Sequence, residues 1–411
     1  MQGRRIGFWS MAVAAMGVAC SAARADVELI GRAVIPAHTS DLSGLSNTIG
    51  SGIPHDRFGG WGSAIAWTGE RNRYVVAADR GPGDGSTAFH CRVHYIEIDP
   101  PSGDPREVKV SIAQTVLVTT SEGQPYWGNT GNYKVGDQSA GVRLDPEGIR
   151  CSPTGTLWLS DEYGPWIDEF SAEGRHIRRI APPAKFLIAN PGGDPDQELP
   201  PHNTSGRQPN RGFEGLAIST DGSRLYAIPQ SPLIQDGALD PENERTGRNI
   251  RLLELNPATG ATRELVYPLN SASFGVSEVL AFGEAGLLVV ERDGKAGDKA
   301  KFRAIFAVDL QGATDVSGVD SLPATELPAT IQPARKRKLL DFLDPRFRLA
   351  GPDMPEKIEG LCFGPDLPDG RRMLVVTTDN DFKDEAPSHV WLFAIDASDL
   401  GTFMPRAIAP H

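Results

Sequence analysis

The sequence contains little cysteine, and its cysteines form no metal-binding pattern. Four cysteines occur among 411 residues, with no CxxC pair and no Cys/His cluster at zinc spacing. A structural zinc site is therefore not expected. Three of the cysteines, Cys91, Cys151 and Cys362, follow residue 25. An exported compartment would permit one disulfide among them, and the odd number leaves one thiol over.

Two common catalytic motifs are also missing. No G-x-S-x-G elbow occurs, which argues against a serine esterase of the α/β-hydrolase type. The glycine-rich stretch at residues 81–86 does not end in Lys-Ser/Thr, so it does not qualify as a P-loop.

Positive charge is in deficit. The chain has 41 Lys and Arg against 53 Asp and Glu, a net charge of −12. Such a surface repels nucleic acid and anionic membranes, so neither is expected as a partner. An anionic small molecule could approach only if cations intervene.

Long apolar runs are absent after the N-terminus. Arg4 and Arg5 precede an apolar stretch at residues 6–19, and Ala23-Arg24-Ala25 resembles a cleavage site. This pattern predicts a signal peptide over residues 1–25 and a single exported domain over residues 26–411, periplasmic or secreted. The alternative is a membrane anchor, but the apolar stretch is shorter than the roughly 20 residues that span a bilayer.

The chain is rich in turn residues and repeats one pattern. It contains 45 Gly and 33 Pro, which suits a β architecture with many turns. Four short segments place a glutamate at the start of an apolar strand, and two further strands follow each of them. These glutamates are Glu147, Glu214, Glu278 and Glu359. Repeats separated by 67, 64 and 81 residues fit propeller blades with loop insertions.

A fifth unit precedes these four and has Ser63 in place of the glutamate. The predicted fold is an all-β propeller with five visible blades. A sixth blade is possible in residues 100–140 or 310–350. Residues 27–35 form a lone strand that could pair with the last unit and close the ring, which would remove the exposed edges.

The repeat predicts that acidic side chains converge. Side chains alternate along a strand, and the end of an antiparallel second strand lies beside the start of the first. The second strands end near several acids, where the third unit has Gln230 instead. These acids are Asp79, Asp161, Glu162, Glu291 and Asp379. In a propeller they would meet the four glutamates at one mouth of the central channel.

So many carboxylates need neutralisation. Neighbouring carboxylates raise one another's pKa unless cations or hydrogen bonds hold them ionised. Oxygen ligands of this kind suit Ca²⁺, or Mg²⁺ with retained waters. The alternative is a structural ring of ion pairs, because basic residues adjoin the acids. These are Arg80, Arg143, Arg211, Arg292 and Lys357.

The chain resembles the phytase-like family, described as an esterase-like domain of phytases. The resemblance rests on the segments LDPEGIR, SDEYGPWI, NRGFEGLAIS and IEGLCFG, with VVAADRG earlier in the chain. It implies an exported bacterial β-propeller and phosphoester hydrolysis. Five acids match the family's acidic positions: Glu147, Asp161, Glu162, Glu214 and Glu359. Ser63 and Gln230 depart from the acidic pattern, and Glu278 lacks the glycine that follows the other glutamates.

These observations give a hypothesis with named roles. The expected activity is hydrolysis of a small phosphoester with a divalent cation, Ca²⁺ or else Mg²⁺, and with water as the nucleophile. The expected catalytic residues are Glu147, Glu214, Glu359, Arg80 and Arg211. The expected metal ligands are Asp79, Asp161, Glu162, Glu278, Glu291 and Asp379. The alternatives are a lactonase-like propeller with one central Ca²⁺ and a binding propeller whose acids are structural.

Overall fold

A computed structural model describes residues 26–50, 52–100, 107–129, 142–192 and 194–401. Across these residues, five four-stranded antiparallel sheets follow one another along the chain as the blades of a propeller. The all-β fold and the five-blade count are confirmed. The predicted signal peptide lies outside the described residues.

Each blade has an inner strand, two middle strands and an outer strand. Blade 1 comprises β4 (Ala64–Trp67), β5 (Arg73–Ala77), β6 (Arg92–Asp99) and β7 (Lys109–Leu117). Blade 2 comprises β8 (Pro146–Cys151), β9 (Leu157–Asp161), β10 (Ile167–Phe170) and β11 (His176–Ile180). Blade 3 comprises β12 (Phe213–Ile218), β13 (Leu225–Pro229), β14 (Asn249–Leu255) and β15 (Thr262–Pro268).

The last two blades complete the ring. Blade 4 comprises β16 (Gly275–Phe282), β17 (Gly286–Arg292), β18 (Arg303–Asp309) and β19 (Arg335–Asp341). Blade 5 comprises β20 (Lys357–Phe363), β21 (Arg372–Asp379), β22 (Ser388–Ile395) and β1 (Val27–Ile35). A separate hairpin consists of β2 (Thr48–Ile49) and β3 (Ile53–Pro54).

The N-terminal strand closes the propeller. β1 pairs antiparallel with β22, from Val27 opposite Ile395 to Ile35 opposite Ser388, as the sequence predicts. Each inner strand contacts the inner strands of both neighbouring blades. In the described parts of the two segments considered for a sixth blade, β7 and β19 instead serve as outer strands.

The core lies between the blades, because each sheet is apolar on both faces near the axis. Inner strands β8 and β12 are buried at every residue, whereas outer strand β11 is half-buried or exposed throughout. Between blades 4 and 5, Leu288, Leu361 and Trp391 share one apolar cluster. Burial of each such side chain contributes about 1.5–3 kcal/mol. This packing fixes the five inner strands around the channel.

The three described cysteines are buried and no disulfide joins them, so the disulfide that an exported compartment would permit does not form among them. Cys151 and Cys362 belong to inner strands, and Cys91 directly precedes β6. Each therefore serves as a small apolar side chain in the core. Within the described residues, no helix has the length and apolarity needed to cross a membrane.

Candidate functional site

A β-bulge near the start of three inner strands sets the direction of the repeated glutamate side chains. In blade 2, Pro146 pairs with Asp161 and Gly148 with Ser160, so Glu147 is left without an opposite residue. The same register shift occurs at Glu214 in blade 3, and in blade 5 the shift falls between Ile358 and Leu361, the interval that contains Glu359. The expectation of plain alternation is therefore wrong at these positions. A bulge redirects the extra residue, and here that residue is the carboxylate.

Blade 4 places its bulge one residue earlier. Val276 pairs with Glu291 and Glu278 with Val290, so the extra residue is Ser277. Glu278 thus occupies the position that glycine holds in the other bulged blades. A Cβ on Gly215 would lie 2.8 Å from the Val279 amide nitrogen in the next inner strand, which explains the glycine. With a side chain at this position, blade 4 sends its carboxylate into the channel instead of to the mouth.

Glu278 meets an arginine that crosses the channel. The Arg150 guanidinium lies 2.8 Å from Glu278 Oε2 and donates to the carbonyl oxygens of Ile65 and Val279 at 2.9 and 2.6 Å. Arg150 belongs to blade 2, so this side chain links the inner strands of blades 1, 2 and 4. We call the Arg150–Glu278 pair the channel lock.

Both oxygens of the Glu278 carboxylate in the channel lock have positive or donor groups beside them. Glu278 Oε1 accepts hydrogen bonds from the amides of Leu216 and Val279 at 3.1 and 2.8 Å. Burial raises the pKa of Glu278, and Arg150 and the two amides oppose that rise. Both carboxylate oxygens are thus engaged by the protein, Oε2 by the Arg150 charge and Oε1 by the two amides, so the pair acts as a structural link.

Eight other carboxylates gather where the inner strands begin. We call them the mouth cluster: Asp79, Asp145, Glu147, Glu162, Glu214, Glu359, Asp379 and Asp381. All but Asp381 are buried. The cations in contact with these acids or adjoining them are Arg80, Arg211, Arg292, Lys357 and Lys383, the last at 2.8 Å from Asp381. Acids outnumber bases here, so the ion pairs cannot neutralise every carboxylate.

Lys357 serves one part of the mouth cluster. Its Nζ lies 2.5 Å from Asp381, 3.3 Å from Asp379 and 3.6 Å from Asp79. The three acids bring oxygens within 4.8 Å of one another. Burial lowers the pKa of Lys357, but attraction to Glu359 and then to these three acids holds it well above its usual value. This group of three carboxylates therefore already holds a cation.

Arg80 serves a second part of the cluster. Its Nη1 donates to Asp145 Oδ2 at 2.7 Å and lies 3.5 Å from Glu162 Oε2. The same guanidinium also contacts Asp84 and Asn210. Burial and the nearby Glu214 carboxylate raise the pKa of Glu162 to about 8.

Three carboxylates beside Arg80 are left with unused oxygens. Asp79, Asp145 and Glu147 bring oxygens within 4.8 Å of one another. Asp145 Oδ1 is buried without a hydrogen-bond partner, and Glu147 has no hydrogen bond or ion pair within the described residues. Burial and mutual repulsion hold the pKa values of Asp145 and Glu147 well above the usual range. Unpartnered buried oxygens in a hard donor set fit Ca²⁺ or Mg²⁺.

Gln230 connects the next carboxylate to an arginine. Its Nε2 donates to Glu214 Oε1 at 2.7 Å, and its Oε1 accepts from Arg211, which also reaches Ser231 Oγ at 3.0 Å. Arg211 has no carboxylate partner within the described residues and is half-buried. Burial lowers the pKa of Arg211 to about 10, so it is a cation at neutral pH. Burial and repulsion from Glu359 raise the pKa of Glu214 to about 7.

Glu359 is paired within the mouth. Arg292 Nη2 donates to Glu359 Oε1 at 2.8 Å, and Arg292 Nε donates to Ser277 Oγ at 2.7 Å. Glu359 Oε2 is buried and has no hydrogen-bond partner in the described part of the chain. Burial raises the pKa of Glu359, and Lys357 and Arg292 oppose that rise.

Three residues expected as metal ligands lie outside the mouth cluster. Glu278 belongs to the channel lock. Asp161 accepts three backbone amides, from Asp145, Tyr163 and Gly164, at 2.9–3.2 Å, so it organises the loop after β9. Burial raises the pKa of Asp161 to about 6.

Glu291 is the third. It binds Lys336 Nζ at 2.7 Å, Tyr267 Oη at 2.8 Å and the Asn270 amide at 2.7 Å. Alternation along β17 sends Arg292 to the mouth and Glu291 to the opposite face of the sheet.

Two members of the mouth cluster were missed by the sequence analysis. Asp145 lies two residues before Glu147, and Asp381 lies two residues after Asp379. A spacing of two from a recognised acid was the available signal. Gln230 was noted only as a departure from the acidic repeat, yet it orients both Glu214 and Arg211.

Known proteins resemble this chain at several levels. A model of the family "Phytase-like: Esterase-like activity of phytase" matches residues 56–382. An uncharacterized secreted protein of Arthroderma benhamiae is 27% identical over 348 residues, 67% of this chain and 64% of that protein. The chain thus spans less than two thirds of the relative's length. That relative is fungal, so the expectation of a bacterial source gains no support from it.

Solved structures resemble the chain more distantly. A luciferin-regenerating enzyme is 12% identical with a TM-score of 0.36, covering 93% of this chain and 100% of that one. A gluconolactonase of Xanthomonas campestris is 13% identical with a TM-score of 0.34, covering 90% and 96%. Likenesses this small do not bear on the chemistry of the site. The family match is different, because it covers most of the chain and includes every member of the mouth cluster. This protein therefore belongs to the phytase-like family.

Proposed function

We propose that the protein hydrolyses phosphoesters with a divalent cation, preferably Ca²⁺, held by Asp79, Asp145 and Glu147. One observation carries the proposal: buried carboxylate oxygens without partners share the mouth with Arg211, a guanidinium without a carboxylate partner among the described residues. Ca²⁺ is preferred because it accepts several carboxylates in flexible geometry, whereas Mg²⁺ demands a near-ideal octahedron. When bound, the cation would neutralise charge on the phosphoryl oxygens.

Arg211 would bind the phosphoryl group. Its guanidinium is fixed by Gln230 and Ser231 rather than by an acid, so donors are left to contact an anion. Arginine matches the geometry of phosphate oxygens, and such contacts strengthen as charge develops in the transition state. Arg80 is already bound to Asp145, so its role would be to hold that carboxylate in place.

Glu214 and Glu162 would move the protons. Water attacks phosphorus and gives its proton to Glu214, whose pKa of about 7 suits a general base at neutral pH. The bond between phosphorus and the ester oxygen breaks, and Glu162 gives a proton to the leaving oxygen. A pKa of about 8 keeps Glu162 protonated at neutral pH. Gln230 orients the Glu214 carboxylate through the 2.7 Å hydrogen bond.

Phosphate release tests the proposal. The purified protein would be assayed on phytate and on simple phosphomonoesters and phosphodiesters, with added Ca²⁺ and with chelator. The matched variants are Glu147→Gln in the mouth cluster and Glu291→Gln outside it. We expect Ca²⁺-dependent release that falls at least 100-fold in Glu147→Gln and stays within threefold in Glu291→Gln, because oriented donors and ligands contribute on this scale.

The outcomes separate the alternatives. No phosphate release under any condition would overturn the phosphoesterase proposal for these substrates. Ca²⁺-dependent turnover of a lactone without phosphate release would favour the lactonase-like reading. Bound Ca²⁺ without turnover of either substrate would favour a binding propeller.

A further inference from the structure

The mouth cluster contains two groups of three carboxylates that share one residue. Asp79 belongs to both: Asp379 and Asp381 complete one group, and Asp145 and Glu147 complete the other. Each group brings three oxygens within 4.8 Å of one another. Enzymes that transfer phosphoryl groups often hold two divalent ions about 3.5–4 Å apart, one on each side of the reacting group. The two groups here are linked in a way that could serve such a pair.

The first group is not available to a free ion, because Lys357 fills it. The ammonium contacts all three of its carboxylates, at 2.5–3.6 Å. Asp379 is held in turn by the Asp381 amide, which donates to its Oδ1 at 3.0 Å. Lys357 is the first residue of β20, and its side chain is 23% exposed. The ammonium therefore lies among acids but reaches the solvent at the channel mouth.

The second group is different. Lys357 reaches only its shared member, Asp79, at 3.6 Å. Arg80 binds Asp145 Oδ2 and Asn210 through Nη1 and Asp84 through Nη2. Among the residues that the structure describes, Asp145 Oδ1 and the Glu147 carboxylate have no hydrogen-bond partner. A guanidinium at the edge of the group therefore leaves its centre free, whereas the Lys357 ammonium sits among the oxygens of the first group.

We propose that Lys357 is a built-in cation that replaces the second metal ion of a two-metal site. This inference rests on the proposed function for the first ion. The protein then binds one free divalent ion, at Asp79, Asp145 and Glu147, and the Lys357 ammonium supplies the second positive charge that faces the substrate phosphoryl group. Asp79 links the two positive charges.

Metal stoichiometry tests the inference without reference to turnover. The chelator-treated protein would be titrated with CaCl₂ by calorimetry, and bound Ca²⁺ would be counted after equilibrium dialysis. We expect one bound ion in the unmodified protein and two in Lys357→Met, because removal of the ammonium exposes the first group. Lys357→Arg keeps the charge and should bind one ion. Lys357→Met combined with Asp379→Asn should return to one ion.

Folding is checked separately. Lys357→Met leaves three buried acids without their cation, so the variant should melt below the unmodified protein in chelator and recover in Ca²⁺. If it cannot be purified without Ca²⁺, it would be purified with Ca²⁺ and its bound metal counted by atomic spectrometry. The stoichiometry of the unmodified protein needs no variant at all.

Each outcome decides the inference. One ion in the unmodified protein and two in Lys357→Met support it. Two ions in the unmodified protein, or one ion in both, overturn it and leave the proposed function intact. No bound ion in either protein overturns both the inference and the metal-dependent part of the proposed function. Activity gives a second readout: the Ca²⁺ dependence of phosphate release should become steeper in Lys357→Met, with a Hill coefficient rising from one toward two.

Discussion

Glu278 and Glu147 are buried carboxylates on neighbouring parts of the same channel, and their settings are opposite. Glu278 has an arginine at 2.8 Å and two amide donors. Glu147 has no hydrogen bond or ion pair within the described residues and is repelled by Asp79, Asp145 and Glu214. The first carboxylate stabilises the ring, whereas the second lacks a partner among the described residues, which is why we propose it as a Ca²⁺ ligand.

The difference arises from one residue of register. In blade 2 the bulge falls on the glutamate, and in blade 4 it falls on Ser277, one residue before Glu278. Burial is nearly the same at both sites, so burial alone does not distinguish a structural acid from a functional one. What distinguishes them is whether the protein itself supplies the opposite charge.

The largest expected effect comes from breaking the channel lock. Arg150→Met leaves Glu278 buried without its cation, and breaking a buried pair in this way costs about 3–5 kcal/mol. The free energy of unfolding, measured by urea titration with Ca²⁺ present, should fall by that amount.

The control for the lock is the double variant Arg150→Met/Glu278→Gln. It removes the stranded charge and should recover at least half of the loss, because replacing both partners of a buried pair is often nearly neutral. A loss below about 1 kcal/mol in the single variant would mean that the pair is as weak as a surface salt bridge.

The mouth should respond in the opposite sense. Glu147→Gln removes a repelled carboxylate, so the metal-free protein should keep or gain stability. Loss of a residue that only supports a metal ligand lowers metal affinity by about 10–100-fold. Glu147 is proposed as a ligand itself, so the Ca²⁺ affinity of Glu147→Gln should fall by more than that. Calorimetric titration and thermal melting in chelator would measure the two effects. Loss of stability without loss of Ca²⁺ affinity would show that Glu147 is structural like Glu278.

The pH dependence of stability gives a smaller effect. The pKa of Glu214 rises from about 4.5 to about 7 on folding, so the folded protein holds a proton that the unfolded chain has lost between these values. Stability from this group is full below pH 4.5 and declines as pH rises toward 7, by about 1–3 kcal/mol in chelator. Urea unfolding at pH 5 and pH 8 measures it. Glu214→Gln should flatten the slope, and equal slopes in both proteins would contradict the assignment.

The ring of blades could be predicted from local signals. Strand periodicity and the recurring Glu-Gly pattern lie within short segments, so they indicated five blades and the closing strand before any contact was known. The approximate place of the acids followed from the same pattern, and six of the eight members of the mouth cluster were anticipated.

The register could not be predicted, and the errors follow from it. A bulge depends on pairing with another strand, so the sequence did not show that Glu278 takes the place of a glycine. Nor did it show that Arg292, rather than Glu291, faces the mouth. The contact between Lys357 and Asp79 joins residues far apart in the chain, and only the closed ring brings them to 3.6 Å.

Glu291 provides the smallest expected effect and the most direct check on the boundary of the mouth. It binds Lys336 Nζ of blade 4 and Tyr267 Oη of blade 3 at 2.7 and 2.8 Å, on the sheet face opposite Arg292. Glu291→Gln keeps one oxygen to accept from Lys336 and Tyr267 but removes the charge and the acceptor of the Asn270 amide, so the free energy of unfolding should fall by about 1–2 kcal/mol. Ca²⁺ affinity should stay within a factor of two. A tenfold loss of Ca²⁺ affinity would show that the Glu291 charge acts on the ion at the mouth. The separation between structural and functional acids would then be wrong. Unchanged affinity would support the criterion that an acid with a cation of its own is structural, because Glu291 has Lys336 as Glu278 has Arg150.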